Sequence, residues 1–443
     1  MNYLIICSFF PPDRAVAAVR PYMLAKYLSK AGHSVVVLRS GAFNSAPDDS
    51  LPELENVQVV SYLGADSDAE KYKRGEYAPA ASVQAEIRAM IPWKLKKILL
   101  KPYAFFRDPI DTRRRVSAAK SKFELQKKAL NELSDRHFDI VFSTYSDLEN
   151  IYAGEYAASL FHAKWIMDFR DPVVAGYSKS FYAWNKIAAK IQKHAVEHSD
   201  LCTTISEGIS SEFSALYPTA NIQTLYNGFE ANDSDQADLS LNTGVFTACY
   251  TGQVYYDLRR EGLELFIRCL KELLQRGVID KSKVRFIYAG KDSDSVRDLF
   301  RKHSVEEILD DRGYVSRSVV QEIQNRSDIF LVTSWNTASS QGVLTGKFYE
   351  GIRAKKNILA VVCGDRPNSE LKLLNDKYHY GFCYEKVSGN ETALIDYLER
   401  ICTEKINTGK VAYCPSPQLM EAFRYDMLAQ KLNMYAEDLV KDR

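Results

Sequence analysis

The chain has 443 residues, of which 46% are hydrophobic and 26% charged, so it is long enough for two or three domains that each bury a core. Its 58 basic residues nearly balance its 57 acidic residues and leave a net charge of +1. A nucleic-acid-binding protein is expected to carry a clear basic excess, so the charge argues against that class of partner.

Strand and helix patterns alternate from the N-terminus. "YLIIC" at 3–7 predicts a buried strand, residues 18–32 predict a helix that ends at Gly32, and "SVVVLRS" at 34–40 predicts a second strand. Further strands are predicted at 138–144, 163–169 and 201–206. This alternation is typical of a parallel α/β sheet.

A polar stretch at 230–244, "EANDSDQADLSLNTG", interrupts the alternation and is the best candidate for a linker. The alternation then resumes, with a helix near 262–276 and strands predicted at 247–252, 284–290, 328–333 and 358–362. We therefore predict two α/β units of similar size. The final amphipathic stretch has no strand after it and is typical of a helix that packs back across a domain boundary.

Residues 68–135 depart from the alternation because they are predicted to be helical and highly charged. Within them, 91–107, "IPWKLKKILLKPYAFFR", interleaves basic residues with aromatic and aliphatic ones. Such a stretch is able to lie on an anionic bilayer surface. The alternative is that the apolar residues belong to a core and the lysines form its solvated face.

Cysteine use and the N-terminus indicate the compartment. The eight cysteines include no C-x-x-C pair and several lie within apolar runs, so we expect reduced thiols and no structural zinc. The N-terminal apolar run ends at Pro11 and Pro12, which makes it too short for a signal peptide or membrane span, and no later run reaches spanning length. We expect a cytoplasmic protein.

The stretch "QGVLTGKFYEGIR" at 341–353 has the pattern of a phosphate-binding helix start. Gly346 lets a diphosphate approach the backbone, Lys347 adds a positive charge, and the helix start adds backbone N–H groups and a partial positive charge. Glu350 lies one turn deeper on the same face, where a carboxylate is able to accept hydrogen bonds from ribose hydroxyls. An exposed Lys347–Glu350 ion pair is the alternative.

These residues resemble the donor-site motif of family-four glycosyltransferases of the two-Rossmann-domain class, GT-B. The resemblance continues in the expected order along most of the chain, through the stretches "FPPDRAVAAVRPYMLAKYLSKAGHSVVVL", "HFDIVFSTYS", "KWIMDFRDP", "TTISEGISSEF", "LYNGFE", "YTGQVY" and "TGKFYEGIRAKKNILAVV". It implies an N-terminal acceptor domain at 1–230, a C-terminal nucleotide-sugar domain at 245–425, a cleft between them, and a helix at 426–443 that crosses back to the first domain.

The resemblance also implies roles for individual residues. Glu350 matches the glutamate that contacts the donor ribose, and the loop of Thr345, Gly346 and Lys347 matches the phosphate-contacting loop. The remaining implied donor-binding residues are Gly252 and Gln253 after the first donor-domain strand, Tyr314 and Val315 near the nucleobase, Arg260, and Arg14 in the first loop. The implied catalytic residues are Lys347, Arg259 and Asp171.

The chain departs from the family pattern at three places. Gly342 stands where the wider family has the first glutamate of a paired motif, which affects the expected donor-sugar contacts. No histidine follows the "FSTYS" strand, which affects the acceptor-side catalyst. The residues there are Ser146, Asp147 and Glu149, and Ala15, Ala17 and Ala18 occupy the usual glycine region of the first loop.

Two further patterns suggest metal sites, and both have simpler explanations. "DFRDP" at 168–172 superficially resembles the acid pair of single-domain glycosyltransferases, with a structural loop cap as the alternative for Asp171. His194 and His198 lie at i and i+4 but lack the glutamate of H-E-x-x-H and a third ligand, so a solvated helix face is favoured.

The sequence thus predicts transfer of a sugar from a UDP- or GDP-sugar to a saccharide or lipid-linked acceptor, with no metal or cofactor required. The resemblance implies retention of anomeric configuration and a role in cell-surface polysaccharide assembly. A nucleotide-sugar epimerase or hydrolase on the same fold and an inactive scaffold are the alternatives. The absence of G-x-G-x-x-G after the first strand argues against a nicotinamide-dependent oxidoreductase.

Overall fold

The computed structural model describes residues 1–42, 51–64, 67, 70, 71, 74, 76, 93–174, 182–230, 244–254 and 257–441, with side chains from Asp108 onward in the helix that begins at Trp93. The interior of the predicted linker, 231–243, lies outside these residues. The chain divides into two compact units. Unit 1 comprises Met1–Asn227 and Tyr425–Arg443, and unit 2 comprises Gly228–Arg424.

The strands and helices of the described residues alternate along most of the chain, as the sequence pattern predicts. The strands are β1 (Asn2–Ile6), β2 (Ser34–Arg39), β3 (Val57–Ser61), β4 (Ile140–Tyr145), β5 (Lys164–Phe169), β6 (Leu201–Thr204), β7 (Ile222–Thr224), β8 (Phe246–Thr251), β9 (Val284–Ala289), β10 (Leu309–Asp311), β11 (Ile329–Asn336), β12 (Asn357–Gly364) and β13 (Gly381–Glu385). The helices are α1 (Val16–Lys30), α2 (Trp93–Asn131), α3 (Glu149–Phe161), α4 (Tyr182–His198), α5 (Glu207–Leu216), α6 (Leu258–Gln275), α7 (Ser293–Lys302), α8 (Arg317–Arg326), α9 (Gly346–Arg353), α10 (Glu370–Tyr378), α11 (Glu391–Thr408), α12 (Gln418–Phe423) and α13 (Tyr425–Lys441).

Unit 1 is built on a parallel sheet in the order β3-β2-β1-β4-β5-β6-β7. Its central strands are continuous apolar runs because a parallel sheet is covered on both faces. Tyr3 to Ile6 of β1, for example, are fully buried. The C-terminal helix α13 packs against α1, and the Tyr3 hydroxyl donates a hydrogen bond to Asn433 Oδ1 at 2.8 Å. The last helix therefore belongs to the first unit.

Unit 2 is built on a second parallel sheet in the order β10-β9-β8-β11-β12-β13. Phe246, Phe266 and Phe286 are fully buried in its core, and each such side chain contributes about 1.5–3 kcal/mol by leaving water. The ends of unit 2 lie side by side, because the Phe229 N–H donates to the Phe423 carbonyl oxygen at 3.0 Å.

Both sheets have the strand order of a dinucleotide-binding fold. In each, the first strand lies between the second and the fourth, so the connections leave in opposite directions at that point. Ligands of such sheets bind in the crevice outside the carboxyl ends of these strands. In unit 2 this crevice lies beyond β8 and β11.

Candidate functional site

The carboxyl end of β8 brings a glycine and a lysine together at the crevice of unit 2. Gly252 has a φ of +106°, which a residue with a side chain rarely adopts. A Cβ built on it would lie 3.3 Å from Lys347 Nζ. Lys347 is the second residue of α9, so its side chain reaches the Gly252 turn from the first turn of that helix.

Tyr250 determines where the Lys347 ammonium lies. The Nζ is 4.9 Å from the centroid of the Tyr250 ring, which is within the range of a cation–π contact. The Tyr250 side chain is only 1% exposed, so its ring is a rigid support. Thr345, the residue before α9, makes no side-chain capping hydrogen bond, and its hydroxyl is buried. The ammonium at the Gly252 turn therefore comes from the first turn of a helix, where the backbone adds a partial positive charge of its own.

Glu350 is held by a glutamine that the sequence patterns do not single out. Its Oε2 accepts a hydrogen bond of 2.7 Å from Gln324 Nε2, and Gln324 is 1% exposed. The same Nε2 donates to Thr251 Oγ1 at 2.9 Å, and Gln324 Oε1 accepts from Arg353 Nη2 at 3.1 Å. Because Gln324 is anchored on both sides, it fixes the half-buried Glu350 carboxylate one turn behind Lys347.

The alternative of an exposed Lys347–Glu350 pair does not fit this geometry. Both residues lie in the described part of the chain, and they form no ion pair with each other there. The ammonium lies over an aromatic ring and the carboxylate binds a buried amide. The two charged groups are held separately at one crevice.

The loops after β9 and β10 lie beside the Gly252 turn. Gly290 N–H donates to the Gly313 carbonyl oxygen at 2.8 Å, and a Cβ on Gly290 would lie only 2.4 Å from the Gly252 carbonyl oxygen. Tyr314 and Val315 follow directly. Tyr314 is 66% exposed, with Lys291 Nζ 5.0 Å from its ring centroid, and Val315 is half-buried. An exposed ring at this edge offers a surface on which a nucleobase stacks.

The two arginines after Gly252 have partners of their own. Arg259 forms an ion pair with Asp257 and places its guanidinium 4.8 Å from the Trp335 ring centroid. Burial raises the pKa of the Asp257 carboxyl, but hydrogen bonds from the Arg259 side chain and N–H outweigh burial and hold it below its ordinary value. Arg260 Nε donates to Ser295 Oγ at 3.4 Å. The Asp257 carboxylate offsets the charge of Arg259, so stabilisation of a leaving group by Arg259 stays a prediction.

Asp171 and Arg14 lie in unit 1 and are both exposed. Although part of the Asp171 side chain is exposed, the protein around its carboxyl partly removes it from water and so raises its pKa, and the neighbouring Arg170 partly offsets this. Arg170 Nη1 donates to the Ala17 carbonyl oxygen at 3.0 Å, which joins the end of β5 to the start of α1. A carboxyl with a raised pKa is suited to proton transfer, but no contact of Asp171 identifies a substrate.

Asp168, in the same D-F-R-D-P stretch, has a structural role. Its carboxylate is fully buried and accepts from Arg20 Nε at 3.0 Å and Arg20 Nη2 at 2.8 Å. The hydroxyls of Thr144 and Thr203 donate to it at 2.9 and 2.8 Å. All four bonds are internal, so the stretch joins β4, β5 and β6 of unit 1 to α1.

The positions that depart from the family pattern have clear local environments. Gly342 is buried with a φ of +67°, so the backbone there takes a conformation that favours glycine. In unit 1, Glu149 is 2% exposed and its Oε1 accepts from Lys122 Nζ at 2.9 Å. Burial raises the pKa of Glu149, Lys122 lowers it, and the nearby Asp147 raises it further. Unit 1 therefore has a buried carboxylate shortly after β4, in the region where the resemblance implies a histidine.

The histidine pair lies on one face of α4 and has protein partners. His194 Nε2 and Glu155 Oε1 are 2.9 Å apart, and His198 Nδ1 donates to the His194 carbonyl oxygen at 2.8 Å. Within the described ranges, no group of three or more histidine, cysteine, aspartate or glutamate side chains has the arrangement of a metal site. The pair fits a helix face that makes local hydrogen bonds.

The predicted membrane-surface segment, 91–107, has its side chains outside the described residues. The backbone from Trp93 onward is part of α2. Among the helices that the structure describes, none combines the length and the apolar character needed to cross a bilayer. Surface contact through 91–107 stays a prediction.

Comparison with solved structures supports the fold. Sucrose-phosphate synthase from Thermosynechococcus elongatus superposes with a TM-score of 0.59 at 11% identity, over 100% of both chains. The Anabaena protein HepE, solved with UDP and glucose, gives 0.56 at 12% identity, over 99% of this chain and 100% of its own. The lipopolysaccharide outer core galactosyltransferase WaaB gives 0.56 at 11% identity, over 99% and 100%. No protein-family model matches the sequence, and no curated protein matches it.

These similarities extend over whole chains and define the fold class. The protein has the GT-B fold, with two Rossmann-type α/β units and a C-terminal helix that belongs to the first. The predicted fold class is therefore confirmed. At 10–12% identity the similarity does not identify a substrate.

Proposed function

We propose that this protein is a glycosyltransferase that takes a sugar from a UDP- or GDP-sugar and transfers it to a saccharide or lipid-linked saccharide. The observation that carries the proposal is the position of Lys347 Nζ, which lies against the Gly252 turn at the start of α9. An ammonium, a helix N-terminus and a glycine turn at a Rossmann crevice are the features that bind a diphosphate.

The chemistry needs negative charge to be stabilised on the leaving group. The bond between the sugar C1 and the diphosphate oxygen breaks, a bond from an acceptor oxygen to C1 forms, and the acceptor hydroxyl proton passes to a base or to solvent. Lys347 and the N-terminus of α9 stabilise the departing nucleoside diphosphate. The negative charge that develops on this leaving group is the largest electrostatic change in the reaction. With this cationic group in place, we expect turnover to continue in the presence of EDTA.

Glu350 supports a nucleotide rather than a simple diphosphate as the donor. Its Oε2 is already bonded to Gln324, so Oε1 is the oxygen that accepts from a ribose hydroxyl. The carboxylate lies one helical turn behind Lys347, which matches the order of ribose and diphosphate in a nucleotide. The exposed Tyr314 ring next to the Gly252 turn supplies a stacking surface for the base.

The solved structures support the finer parts of the proposal. HepE was solved with UDP and glucose and WaaB is a lipopolysaccharide galactosyltransferase, which favours UDP among the donors and a cell-surface saccharide as product. Residues 91–107 would bring a lipid-linked acceptor near unit 1 by lying on an anionic bilayer. Retention of anomeric configuration is the expectation from the family resemblance, and NMR of the product tests it.

Calorimetric titration of the purified protein with UDP, GDP and their sugars tests the donor site. We expect binding of one nucleotide series, and Lys347→Met weakens it about ten- to hundredfold, because a hydrogen bond to a charged group contributes about 1.5–3 kcal/mol. Lys377→Met is the matched control, since Lys377 Nζ also lies 4.9 Å from a tyrosine ring in unit 2. Unchanged affinity in Lys347→Met, or an equal loss in Lys377→Met, would contradict the assignment.

Turnover separates the transferase from the alternatives. A transferase releases UDP or GDP in proportion to added acceptor, whereas an epimerase or hydrolase consumes the donor alone. An inactive scaffold would bind none of the nucleotides. The inactive scaffold stays an alternative because position 342 is a glycine, so no glutamate stands there to contact a donor sugar. The backbone at Gly342 has a positive φ, which favours glycine.

A further inference from the structure

Two tyrosine hydroxyls bond the carbonyl groups of consecutive residues at the Gly252 turn. Tyr288 Oη donates to the Gly252 carbonyl oxygen at 3.2 Å, and Tyr250 Oη donates to the Gln253 carbonyl oxygen at 3.2 Å. The two residues are paired across β8 and β9, and their rings stack with centroids 6.5 Å apart. One stacked pair therefore holds both peptide groups of the turn.

Of the three backbone N–H groups from Gly252 to Val254, two donate hydrogen bonds within the protein. The Gly252 N–H donates to the Ala289 carbonyl oxygen at 2.7 Å, and the Val254 N–H donates to Asp292 Oδ2 at 2.9 Å. Among the residues that the structure describes, none accepts a hydrogen bond from the Gln253 N–H. Because Gln253 is exposed and its N–H has no protein acceptor among the described residues, this N–H is open to a ligand or to water.

Peptide planarity determines where that N–H points. In a trans peptide the carbonyl of one residue and the N–H of the next point in opposite directions. Tyr288 holds the Gly252 carbonyl toward β9, so the Gln253 N–H points away from β9. Lys347 Nζ lies against the same turn, 3.3 Å from the Cβ position of Gly252.

The turn is closely fitted around the Tyr288 hydroxyl. A Cβ on Gly290 would lie 2.3 Å from Tyr288 Oη and 2.4 Å from the Gly252 carbonyl oxygen, so only glycine leaves room for this hydrogen bond. The Tyr288 hydroxyl also accepts from the Asp292 N–H at 2.9 Å. Burial raises the pKa of Tyr288 to about 12, so the hydroxyl stays protonated and remains a donor at neutral pH.

We propose that Tyr288, assisted by Tyr250, is a positioning residue for the donor diphosphate. Its hydroxyl turns the Gly252–Gln253 peptide so that the Gln253 N–H and the Lys347 ammonium bind the terminal phosphate together. The inference rests on the proposed nucleotide-sugar function and names the groups that hold the diphosphate. The outer phosphate is the relevant one because it carries the sugar in the donor and gains negative charge when its bond to the sugar C1 breaks.

Titrations with UDP and UMP, or with GDP and GMP if those bind better, test this role. In Tyr288→Phe the ring stack remains and the hydroxyl is lost, so we expect the affinity for the diphosphate to fall about tenfold, since about 1.4 kcal/mol corresponds to tenfold. The affinity for the monophosphate should change less than about threefold. Tyr250→Phe should act in the same direction and more weakly, because the Tyr250 hydroxyl is shared with Thr333 Oγ1 at 3.4 Å.

Tyr380→Phe is the matched control. Tyr380 is fully buried in unit 2, and its hydroxyl donates to the Leu371 carbonyl oxygen at 2.7 Å. We expect this variant to lower the melting temperature as Tyr288→Phe does and to leave diphosphate affinity unchanged. A purely structural role for Tyr288 would give the same pattern as Tyr380.

The possible results are distinct. Equal losses for diphosphate and monophosphate in Tyr288→Phe, or wild-type affinity for both, would overturn the positioning role. Loss of diphosphate affinity in Tyr380→Phe would also overturn it, because the effect would then be general. If the wild-type protein bound neither UDP nor GDP, the proposed function itself would fail.

Discussion

Breaking the buried ion pair of Arg20 and Asp168 is expected to cost unit 1 much more stability than breaking an exposed pair. Arg20 is 1% exposed, and all three of its guanidinium nitrogens donate hydrogen bonds to protein acceptors. Two go to Asp168, and the others go to the carbonyl oxygens of Leu225 and Tyr226 and to Asn227 Oδ1. Asp168→Asn keeps the shape of the site but removes the carboxylate charge that faces the guanidinium.

Removing one partner of a buried pair costs about 3–5 kcal/mol, because the remaining charge stays buried and uncompensated. A whole domain is typically stable by about 5–15 kcal/mol, so this is a large fraction. At an m value of about 2–3 kcal/mol per M of urea, the midpoint of unfolding should fall by about 1–2.5 M.

Tryptophan fluorescence during urea unfolding measures this loss in unit 1. The chain has four tryptophans, of which Trp335 alone lies in unit 2, so a Trp335→Phe background restricts the signal to unit 1. Glu197→Gln is the control, since its pair with Lys193 is exposed and its loss should change stability by less than about 0.5 kcal/mol. A loss below about 1 kcal/mol in Asp168→Asn would refute the reasoning.

Two further substitutions test a buried carboxylate and the glycine turn. Burial raises the folded-state pKa of Glu149, so the native state binds more protons than the unfolded state just above the ordinary carboxylate pKa, and stability falls as pH rises through that range. Lys122→Met removes the partner that offsets this, and we expect its urea midpoint to fall more at pH 7.5 than at pH 4.5. Gly252→Ala strains the backbone and places a methyl group 3.3 Å from Lys347 Nζ, so we expect calorimetry to show about a tenfold loss of nucleotide affinity. Gly277→Ala is the control, because Gly277 also has a positive φ but a Cβ there would have no neighbour within 4 Å. This control should lose stability and keep nucleotide affinity.

Specific outcomes would contradict these expectations. An equal loss of stability at both pH values would mean that Lys122 acts through packing and not through the charge of Glu149. Wild-type nucleotide affinity in both glycine variants would mean that the Gly252 turn is not part of the donor site.

Local patterns predicted most of the fold. The apolar runs of β1, β2 and β12 follow from burial on both faces of a parallel sheet, and the helical crossovers that join parallel strands produce the strand–helix alternation. The grouping of Gly346, Lys347 and Glu350 was predictable because they lie within five residues of one another, so helix geometry alone places them together.

The supporting contacts of the site could not be predicted in this way. Gln324 reaches Glu350 over 26 residues, and Tyr288 reaches Gly252 over 36 residues. These contacts exist because the sheet places β9 and α8 next to β8, and no local spacing encodes that order. Asp168 shows the reverse case, since its position in an acidic motif suggested a site and its burial shows a structural role.

The return of α13 to unit 1 has a consequence for biosynthesis. Unit 2 is one continuous segment, Gly228–Arg424, whereas unit 1 needs both ends of the chain. On the ribosome, all of unit 2 is synthesised before α13, so the surface of α1 stays uncovered until α13 emerges and packs against it. Truncation before Tyr425 thus uncovers the apolar side of the first unit, and an excised 228–424 fragment is the part of the protein suited to independent expression.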